Sequence, residues 1–141
     1  MIRIASDNDL PEIFKLFDER QADLKYKFGK SNRDVFIHSW TKLFPKNAYM
    51  VLKSVGDDGK INGFLNGSIF YHLGTGVPMA LVHFWYVSPS KRGAGIGVEL
   101  LKDFEKWAKA SGAKFCWFAK KMKETELGDY HSHEIMYVKE F

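Results

Sequence analysis

Residues 87–112, VSPSKRGAGIGVELLKDFEKWAKASG, join a glycine-rich turn to a long helical pattern. Gly93, Gly95 and Gly97 alternate with small or apolar residues, and Arg92 stands directly before them. After a strand, a glycine-rich turn that opens into a helix leaves free backbone N–H groups at the positive end of the helix dipole. The stretch therefore predicts an anion site, most simply for a pyrophosphate, to which Arg92 adds guanidinium donors.

The spacing of the glycines separates this loop from two other phosphate-binding motifs. A dinucleotide fingerprint G-x-G-x-x-G starting at Gly93 needs glycine at position 98, where the chain has Val98. The Walker A pattern G-x-x-x-x-G-K-[ST] is absent. A purely structural tight turn is the alternative, and glycines combined with Arg92 at a strand-to-helix junction disfavour it.

The rest of the chain predicts an alternation of strands and helices around this loop. Apolar alternation predicts strands at 1–6, 48–55, 61–73, 79–87, 113–119 and 133–141, and helical spacing predicts helices at 9–24, at 33–43 and directly after the loop. Residues 1–141 are predicted to form a single α/β (α+β) domain with a mixed, mostly antiparallel central sheet and helices on both faces. The strands on either side of the glycine loop should be parallel, joined by a right-handed crossover.

Composition excludes several classes of protein. The chain has 141 residues with a net charge of +4, a mild excess whose lysines are scattered, so nucleic-acid binding is not expected. A single cysteine, Cys116, rules out an internal disulfide and is expected to pack in a strand. No segment has the length of a membrane span and the N-terminus has no signal-peptide pattern. We expect a cytoplasmic protein that does not bind membranes.

The loop resembles the acyl-CoA-binding motif R/Q-x-x-G-x-G/A of the GNAT N-acetyltransferase family. Arg92, Gly95 and Gly97 occupy its defining positions, and Gly93 and Ile96 match frequent choices. The segments IRIASDNDLPEIFKLF (2–17) and GKINGFLNGSIF (59–70) are similar to the family's first strand and helix and to its third strand. The resemblance covers about residues 1–119, and the part of the chain after them is short for the family.

The resemblance implies a fold and a co-substrate, acetyl-CoA. The fourth and fifth strands would splay apart and hold the pantetheine arm, with backbone groups near Tyr86 and Val87 binding it like an added strand. The pyrophosphate would be held by the N–H groups of the loop: Arg92, Gly93, Ala94, Gly95, Ile96 and Gly97. The implied activity is transfer of an acetyl group to a primary amine, of a small molecule or a protein, by direct attack in a ternary complex.

Amine acetylation needs a base, because an ammonium has no lone pair, and histidine has a suitable pKa. His83, in the predicted fourth strand, is the candidate. Strand alternation places it on one face with Leu81, Trp85 and Val87 unless a bulge intervenes. A packed histidine bonded to a backbone carbonyl is an equally weighted alternative. His72, at the end of the third strand, is the second candidate.

An acid would protonate the leaving thiolate, and Tyr130 is the candidate. Members of the family often carry a tyrosine after the fifth strand within N-x-x-A-x-x-x-Y-x-x-x-G-F, a pattern that this chain lacks. A loop tyrosine is the alternative. Nearby, the stretch DYHSHE (129–134) contains half of a possible zinc site, but a solvated strand end explains it better and no metal is predicted.

The acceptor side should be built from the first two helices, their linker and the tail. A basic run would favour an acidic substrate and an acidic face of the first helix would favour a cationic one, so the amine's identity stays open. The basic residues are Lys25, Lys27, Lys30 and Arg33, and the acidic residues are Asp18, Glu19 and Asp23. A homodimer is possible. The alternative function is a non-catalytic acyl-CoA-binding or protein-interaction module on the same fold.

Overall fold

The computed structural model describes residues 1–23, 29–121, 126, 127, 130, 131 and 134–141, and gives only the backbone for those between 120 and 135. The elements are β1 (Ile2–Ile4), α1 (Leu10–Ala22), α2 (Arg33–Thr41), β2 (Tyr49–Val55), β3 (Ile61–Tyr71), β4 (Pro78–Val87), α3 (Ile96–Ala110), β5 (Phe115–Lys121), β6 (Glu126–Leu127), β7 (Tyr130–His131) and β8 (Glu134–Glu140). Short 3-10 turns precede α1 and the glycine loop.

The main sheet has six strands in the order β1-β2-β3-β4-β5-β8, and β6 and β7 form a separate small hairpin. Within the main sheet all neighbours are antiparallel except β4 and β5, which α3 connects as a parallel pair. The predicted mixed, mostly antiparallel sheet is therefore confirmed, including the parallel pair on either side of the glycine loop.

Helices cover both faces of the sheet, as predicted. α1 and α2 bury one cluster that includes Leu10, Ile13 and Trp40 against Phe64 of β3. α3 buries the other cluster, with Leu100, Phe104 and Ala108 facing the sheet. Among the residues that the structure describes, no helix is both long and apolar enough to cross a membrane.

Local signals explain where the helices begin and where two elements end earlier than predicted. α1 follows a reciprocal pair of side chain–backbone contacts between Ser6 and Asp9, and Asn32 Oδ1 caps α2 by accepting from Val35 N at 3.0 Å. α2 ends at Thr41 rather than at position 43, and beyond it Leu43 N donates to Trp40 O at 2.9 Å in a tighter turn. β3 ends at Tyr71 rather than at position 73, where a turn to β4 begins.

β4 carries a bulge at His83. Asn66 of β3 pairs with Phe84 and Gly67 pairs with Val82, so His83 is an extra residue on β4. The extra residue reverses the alternation: Phe84 packs in the α1–α2 cluster, and Trp85 packs in the α3 cluster. The expectation that His83 shares a face with Trp85 and Val87 is therefore corrected, because the bulge that would break the alternation is present.

β4 and β5 separate beyond the middle of β4. Their parallel pairing covers only Met79 with Phe115, Ala80 with Cys116 and Leu81 with Trp117. β4 nevertheless continues to Val87, and β5 continues to Lys121 along β8. The splayed pair expected from the family resemblance is present, and it opens directly after the row that holds Leu81.

Candidate functional site

The glycine loop presents backbone N–H groups at the start of α3. Gly93 and Gly95 have φ of 88° and 82°, left-handed values that glycine adopts without a steric cost. The first hydrogen bond of the helical ladder runs from Glu99 N to Gly95 O at 3.0 Å. The amides of Ile96 and Gly97, which lie before Glu99, therefore have no acceptor within the helix and are available to an anion.

A groove of about 600 Å³ lies between this loop and the end of β4. It is lined by Trp85, Tyr86, Val87, Lys91, Arg92, Gly93, Gly95, Ile96, Gly97 and Val98. The structure therefore brings together seven of the eight residues predicted to bind the co-substrate. Ala94, the eighth, is in the loop but does not line the groove.

The free edge of β4 is formed by Trp85 and Val87. Ser88 N donates to Asn62 O at 2.9 Å. Along an antiparallel strand, every second residue directs its backbone N–H and C=O groups toward the same neighbouring strand. Tyr86 therefore directs its backbone toward β3, while Trp85 and Val87 direct theirs toward the gap next to β5. The backbone contact with the pantetheine arm, expected at Tyr86, is therefore corrected to Trp85. The sequence does not show which residues of β4 face β3, so only the hydrogen-bond pattern of the structure identifies Trp85.

The Arg92 side chain folds back onto β4 and toward α1. Its Nε donates to Val87 O at 2.9 Å, its guanidinium lies 5.2 Å from the centre of the Tyr86 ring, and its Nη2 is 3.7 Å from Asp23 Oδ2. Burial, with the Asp23 and Glu19 carboxylates, raises the pKa of Tyr86 and keeps the phenol neutral. Arg92 thus fixes the loop against the strand in addition to placing positive charge at the groove.

A second cavity, of about 470 Å³, lies between α1, α2 and the bulge of β4. Its wall contains the rings of Phe17, Phe36, Trp40 and Phe84, the side chains of Arg20, Gln21, Lys30, Asn32, Val35 and Ser39, and His83. The sequence had indicated the first two helices as the acceptor side. The sequence did not single out Phe36, Trp40 or Arg20 for this wall, and Lys25 and Lys27 of the predicted basic run lie outside the described residues.

His83 is exposed toward this cavity and anchored on its other side. Its Nε2 lies 2.7 Å from Ser68 Oγ, and its ring stacks on Tyr49 with centroids 6.4 Å apart. Desolvation of the ring lowers the pKa of His83, so the imidazole is neutral at a pH where a free histidine is partly protonated. The partner is a serine hydroxyl rather than the backbone carbonyl of the packed-histidine alternative.

Two buried N–H donors lie in the rows on either side of the point where β4 and β5 separate. Asn66 Nδ2 and Trp117 Nε1 are buried and make no hydrogen bond among the described residues. Asn66 pairs with Phe84, and Trp117 pairs with Leu81. Because buried donors are rarely left unpaired in native proteins, these two N–H groups are candidates for an acceptor that a bound ligand would supply.

Other predicted site residues lie elsewhere. Tyr130 belongs to β7 by its backbone, and its side chain lies outside the described residues, so its role as acid stays a prediction. His72 Nδ1 accepts from Gly74 N at 3.2 Å in a surface turn, which is the structural alternative for this residue. Asp129 and His133 of the possible zinc site also lie outside the described residues.

Cys116 is a core residue, as predicted. It is 1% exposed, and burial, with a smaller effect of the Glu105 carboxylate, raises the pKa of its thiol to about 11. The thiol therefore stays protonated at neutral pH and has no nucleophilic role.

A comparison with family models finds one match. The model described as the acetyltransferase (GNAT) family matches residues 13–133, which include α1, β4, the glycine loop and α3. A comparison with curated proteins finds none that matches this sequence.

Solved structures of acetyltransferases share the fold. A ribosomal-protein-alanine N-acetyltransferase from Brucella melitensis has a TM-score of 0.77 at 16% identity, covering 100% of this chain and 99% of that chain. An aminoglycoside 6'-N-acetyltransferase from Acinetobacter baumannii has a TM-score of 0.68 at 23% identity, covering 80% and 74%. A phosphinothricin acetyltransferase from Sinorhizobium meliloti, in complex with AcCoA, has a TM-score of 0.72 at 21% identity, covering 84% and 64%.

Proposed function

Because this chain belongs to the GNAT family of acetyltransferases, we propose that it transfers the acetyl group of acetyl-CoA to a primary amine by direct attack in a ternary complex. One observation carries the proposal: β4 forms a wall of both cavities. His83 and Phe84 line the cavity between α1 and α2, and the next residues, Trp85 and Tyr86, line the groove at the glycine loop. Two substrates bound in these cavities would meet along one strand.

The groove fits acetyl-CoA by its shape and its donors. The amides at the start of α3 and the left-handed turn at Gly93 and Gly95 would hold the pyrophosphate, with Lys91 and Arg92 nearby. The backbone N–H and C=O of Trp85 and the N–H of Val87, which face the gap between β4 and β5, would bind the pantetheine arm as an added strand would, while Val87 O accepts from Arg92 Nε. The thioester would then lie close to the bulge, where the gap begins.

The transfer joins the amine nitrogen to the thioester carbonyl carbon and breaks the bond from that carbon to sulfur. His83 takes one proton from the amine nitrogen, and that proton then passes to the departing CoA thiolate, directly or by exchange with the predicted acid Tyr130, so that His83 returns to its neutral form and charge and atoms balance. For His83 to accept that proton at Nδ1, its Nε2 carries the hydrogen and donates to Ser68 Oγ. The oxyanion needs N–H donors, and among the described residues Asn66 Nδ2 and Trp117 Nε1 are buried donors without a partner, with the Gly67–Val82 row between their rows.

The alternative is a module that binds acyl-CoA without transferring the acetyl group. Its support is the departure of the chain from the family's tyrosine pattern after the fifth strand. The neutral His83 at the junction of the two cavities favours the enzyme, because binding alone does not need a base there. A homodimer stays a prediction, which sedimentation equilibrium would check.

The test is a turnover measurement with acetyl-CoA and a panel of primary amines, following release of the free CoA thiol together with the mass of the acetylated amine. We expect amine-dependent thiol release in the wild type. A folded protein that binds acetyl-CoA by calorimetry but releases no thiol with any amine would support the non-catalytic alternative.

A further inference from the structure

The cavity between α1 and α2 has a predominantly aromatic wall. Phe36 stacks on Trp40 with centroids 4.3 Å apart, and Phe17 packs on Phe36 at 5.0 Å and on Phe84 at 5.3 Å. Such a wall favours a ligand with an apolar or aromatic body, which removes the rings' faces from water. A volume of about 470 Å³ is enough for a small molecule and too small for a folded partner.

The charged groups on this wall are basic. Arg20 and Lys30 line the cavity, and no Asp or Glu is among the described residues that line it. Two carboxylates at the end of α1 interact with residues of the co-substrate groove instead: Asp23, directly after the helix, is 3.7 Å from Arg92, and Glu19 acts on the Tyr86 phenol. The Arg20 guanidinium thus lines the acceptor cavity, while these two acids lie toward the co-substrate groove.

Arg20 lines the same cavity as the proposed base, His83. Its guanidinium lies 5.4 Å from the centre of the Phe84 ring, and Phe84 follows His83 at the bulge of β4. A guanidinium presents its donors as a planar fork that matches the two oxygens of a carboxylate. An anionic group bound to Arg20 would thus share one cavity with an amine that faces His83.

We propose that the acceptor is a free amino acid with an aromatic or large apolar side chain, whose carboxylate is bound by Arg20 with help from Lys30. This inference rests on the proposed acetyl transfer and specifies its second substrate. The α-carboxylate and α-amine of an amino acid are separated by a single carbon, which suits an anion site and a base that line the same small cavity. A polycationic amine would meet Arg20 and Lys30 as like charges and is disfavoured.

The first test compares three primary amines that share a phenyl ring: L-phenylalanine, L-phenylalaninamide and 2-phenylethylamine. The wild type is used, and kcat/KM is corrected for the fraction of each amine that is unprotonated. We expect L-phenylalanine to exceed the other two by about 10- to 100-fold, the usual effect of a hydrogen bond to a charged group. Equal or lower values for L-phenylalanine would overturn the inference and leave acetyl transfer itself intact.

The second test assigns the effect to Arg20. Arg20→Met should reduce kcat/KM for L-phenylalanine by about 10- to 100-fold and leave that for 2-phenylethylamine within about twofold. Arg33→Met is the matched control, because Arg33 starts α2 but lies outside the cavity. An equal loss with both amines, or an equal loss in the control, would contradict the assignment.

A binding measurement separates this inference from the proposed reaction. Calorimetric titration of L-phenylalanine into the protein holding acetyl-free CoA should give a dissociation constant that Arg20→Met weakens about 10- to 100-fold and Arg33→Met does not. Arg20-dependent binding of L-phenylalanine without acetylation of any amine would support the amino-acid site and contradict the proposed acetyl transfer. Absence of L-phenylalanine binding in a protein that acetylates other amines would contradict the amino-acid site and support acetyl transfer.

Discussion

At the scale of single residues, the neutral imidazole of His83 is the feature with chemical consequences. The bulge turns it toward the acceptor cavity, and Ser68 Oγ holds its Nε2 at 2.7 Å. Desolvation lowers its pKa from the ordinary value of 6.5, so it is ready to accept a proton over a wider pH range than a free histidine. Cys116 has the opposite outcome, because burial raises the pKa of its thiol to about 11 and keeps it protonated.

The base assignment predicts a pH profile. With both substrates saturating, the acid limb of kcat should have its midpoint below 6.5, because His83 must be neutral and its pKa is lowered. His83→Gln keeps a hydrogen-bonding atom near Ser68 but does not titrate, so kcat should fall about 100-fold and the limb should disappear. His72→Gln, in the surface turn, is the control and should retain the limb.

The same shift predicts the sign of a stability effect. The unfolded chain takes up the His83 proton near pH 6.5, whereas the folded chain takes it up only at lower pH. The free energy of unfolding should therefore decrease as the pH falls below 6.5 toward the folded-state pKa, and His83→Gln should lose this contribution. In the activity measurement, an acid limb of kcat that persists in His83→Gln would show that the base is another residue.

At the scale of elements, Gly97 at the start of α3 is the position where a substitution can test the anion site without straining the backbone. Gly93 and Gly95 have left-handed φ, so substitutions there strain the backbone whatever they do to a ligand. Gly97 has no such φ, and a Cβ at this position would meet only the Trp85 ring at 3.4 Å, an ordinary contact. A side chain at Gly97 is compatible with the fold and lies in the groove.

Gly97→Asp and Gly97→Asn differ in charge and hardly in shape, so their comparison isolates repulsion of the phosphates. We expect the aspartate variant to bind acetyl-CoA about 100-fold more weakly than the asparagine variant, since like charges in contact are strongly unfavourable. Calorimetric titration is the measurement. A carboxylate near a helix N-terminus does not destabilise the helix, so unfolding is not the expected cause. Equal affinities of the two variants for acetyl-CoA would contradict the assignment of the pyrophosphate to this loop.

At the scale of the whole molecule, β4 connects the two cavities, which lie between this strand and helices on opposite faces of the sheet. β4 crosses from the α1–α2 cavity to the groove at α3, and its partner β5 leaves it after Leu81. Gly67 of β3 allows α3 to approach, because a Cβ there would lie 2.4 Å from the Phe104 ring. The close approach of α3 brings the glycine loop to the open end of β4.

A ligand that fills this groove should stabilise the entire domain. At a concentration of 100 times its dissociation constant, acetyl-CoA should add about 2.7 kcal/mol to the free energy of unfolding. For a chain of this size that raises Tm by about 5–10 °C, measured by thermal denaturation. NADH should give no shift, because the loop lacks the dinucleotide spacing, and Gly97→Asp should abolish the shift with acetyl-CoA. A folded wild type without any shift would contradict the groove assignment.

The sequence by itself determined the order of the helices and of the strands of the main sheet, and the parallel pair around the glycine loop, but not the short β6–β7 hairpin. These features follow from local periodicity and from the conformations that glycine allows, which are properties of neighbouring residues. The free amides at the start of α3, on which the predicted anion site depends, follow in the same way from the start of a helix. Leu100, Phe104 and Ala108 recur at helical spacing and are buried on one face of α3.

Only the tertiary structure decided what surrounds the site. The bulge at His83 depends on the register of β4 with β3, and this register decides on which face of the sheet His83 lies. The same register directs the backbone groups of Trp85, rather than those of Tyr86, toward the gap. Ser68 and Arg20 reach His83 and its neighbour Phe84 from β3 and α1, respectively. Contacts between residues far apart in the chain follow from packing and strand pairing, which local patterns do not encode.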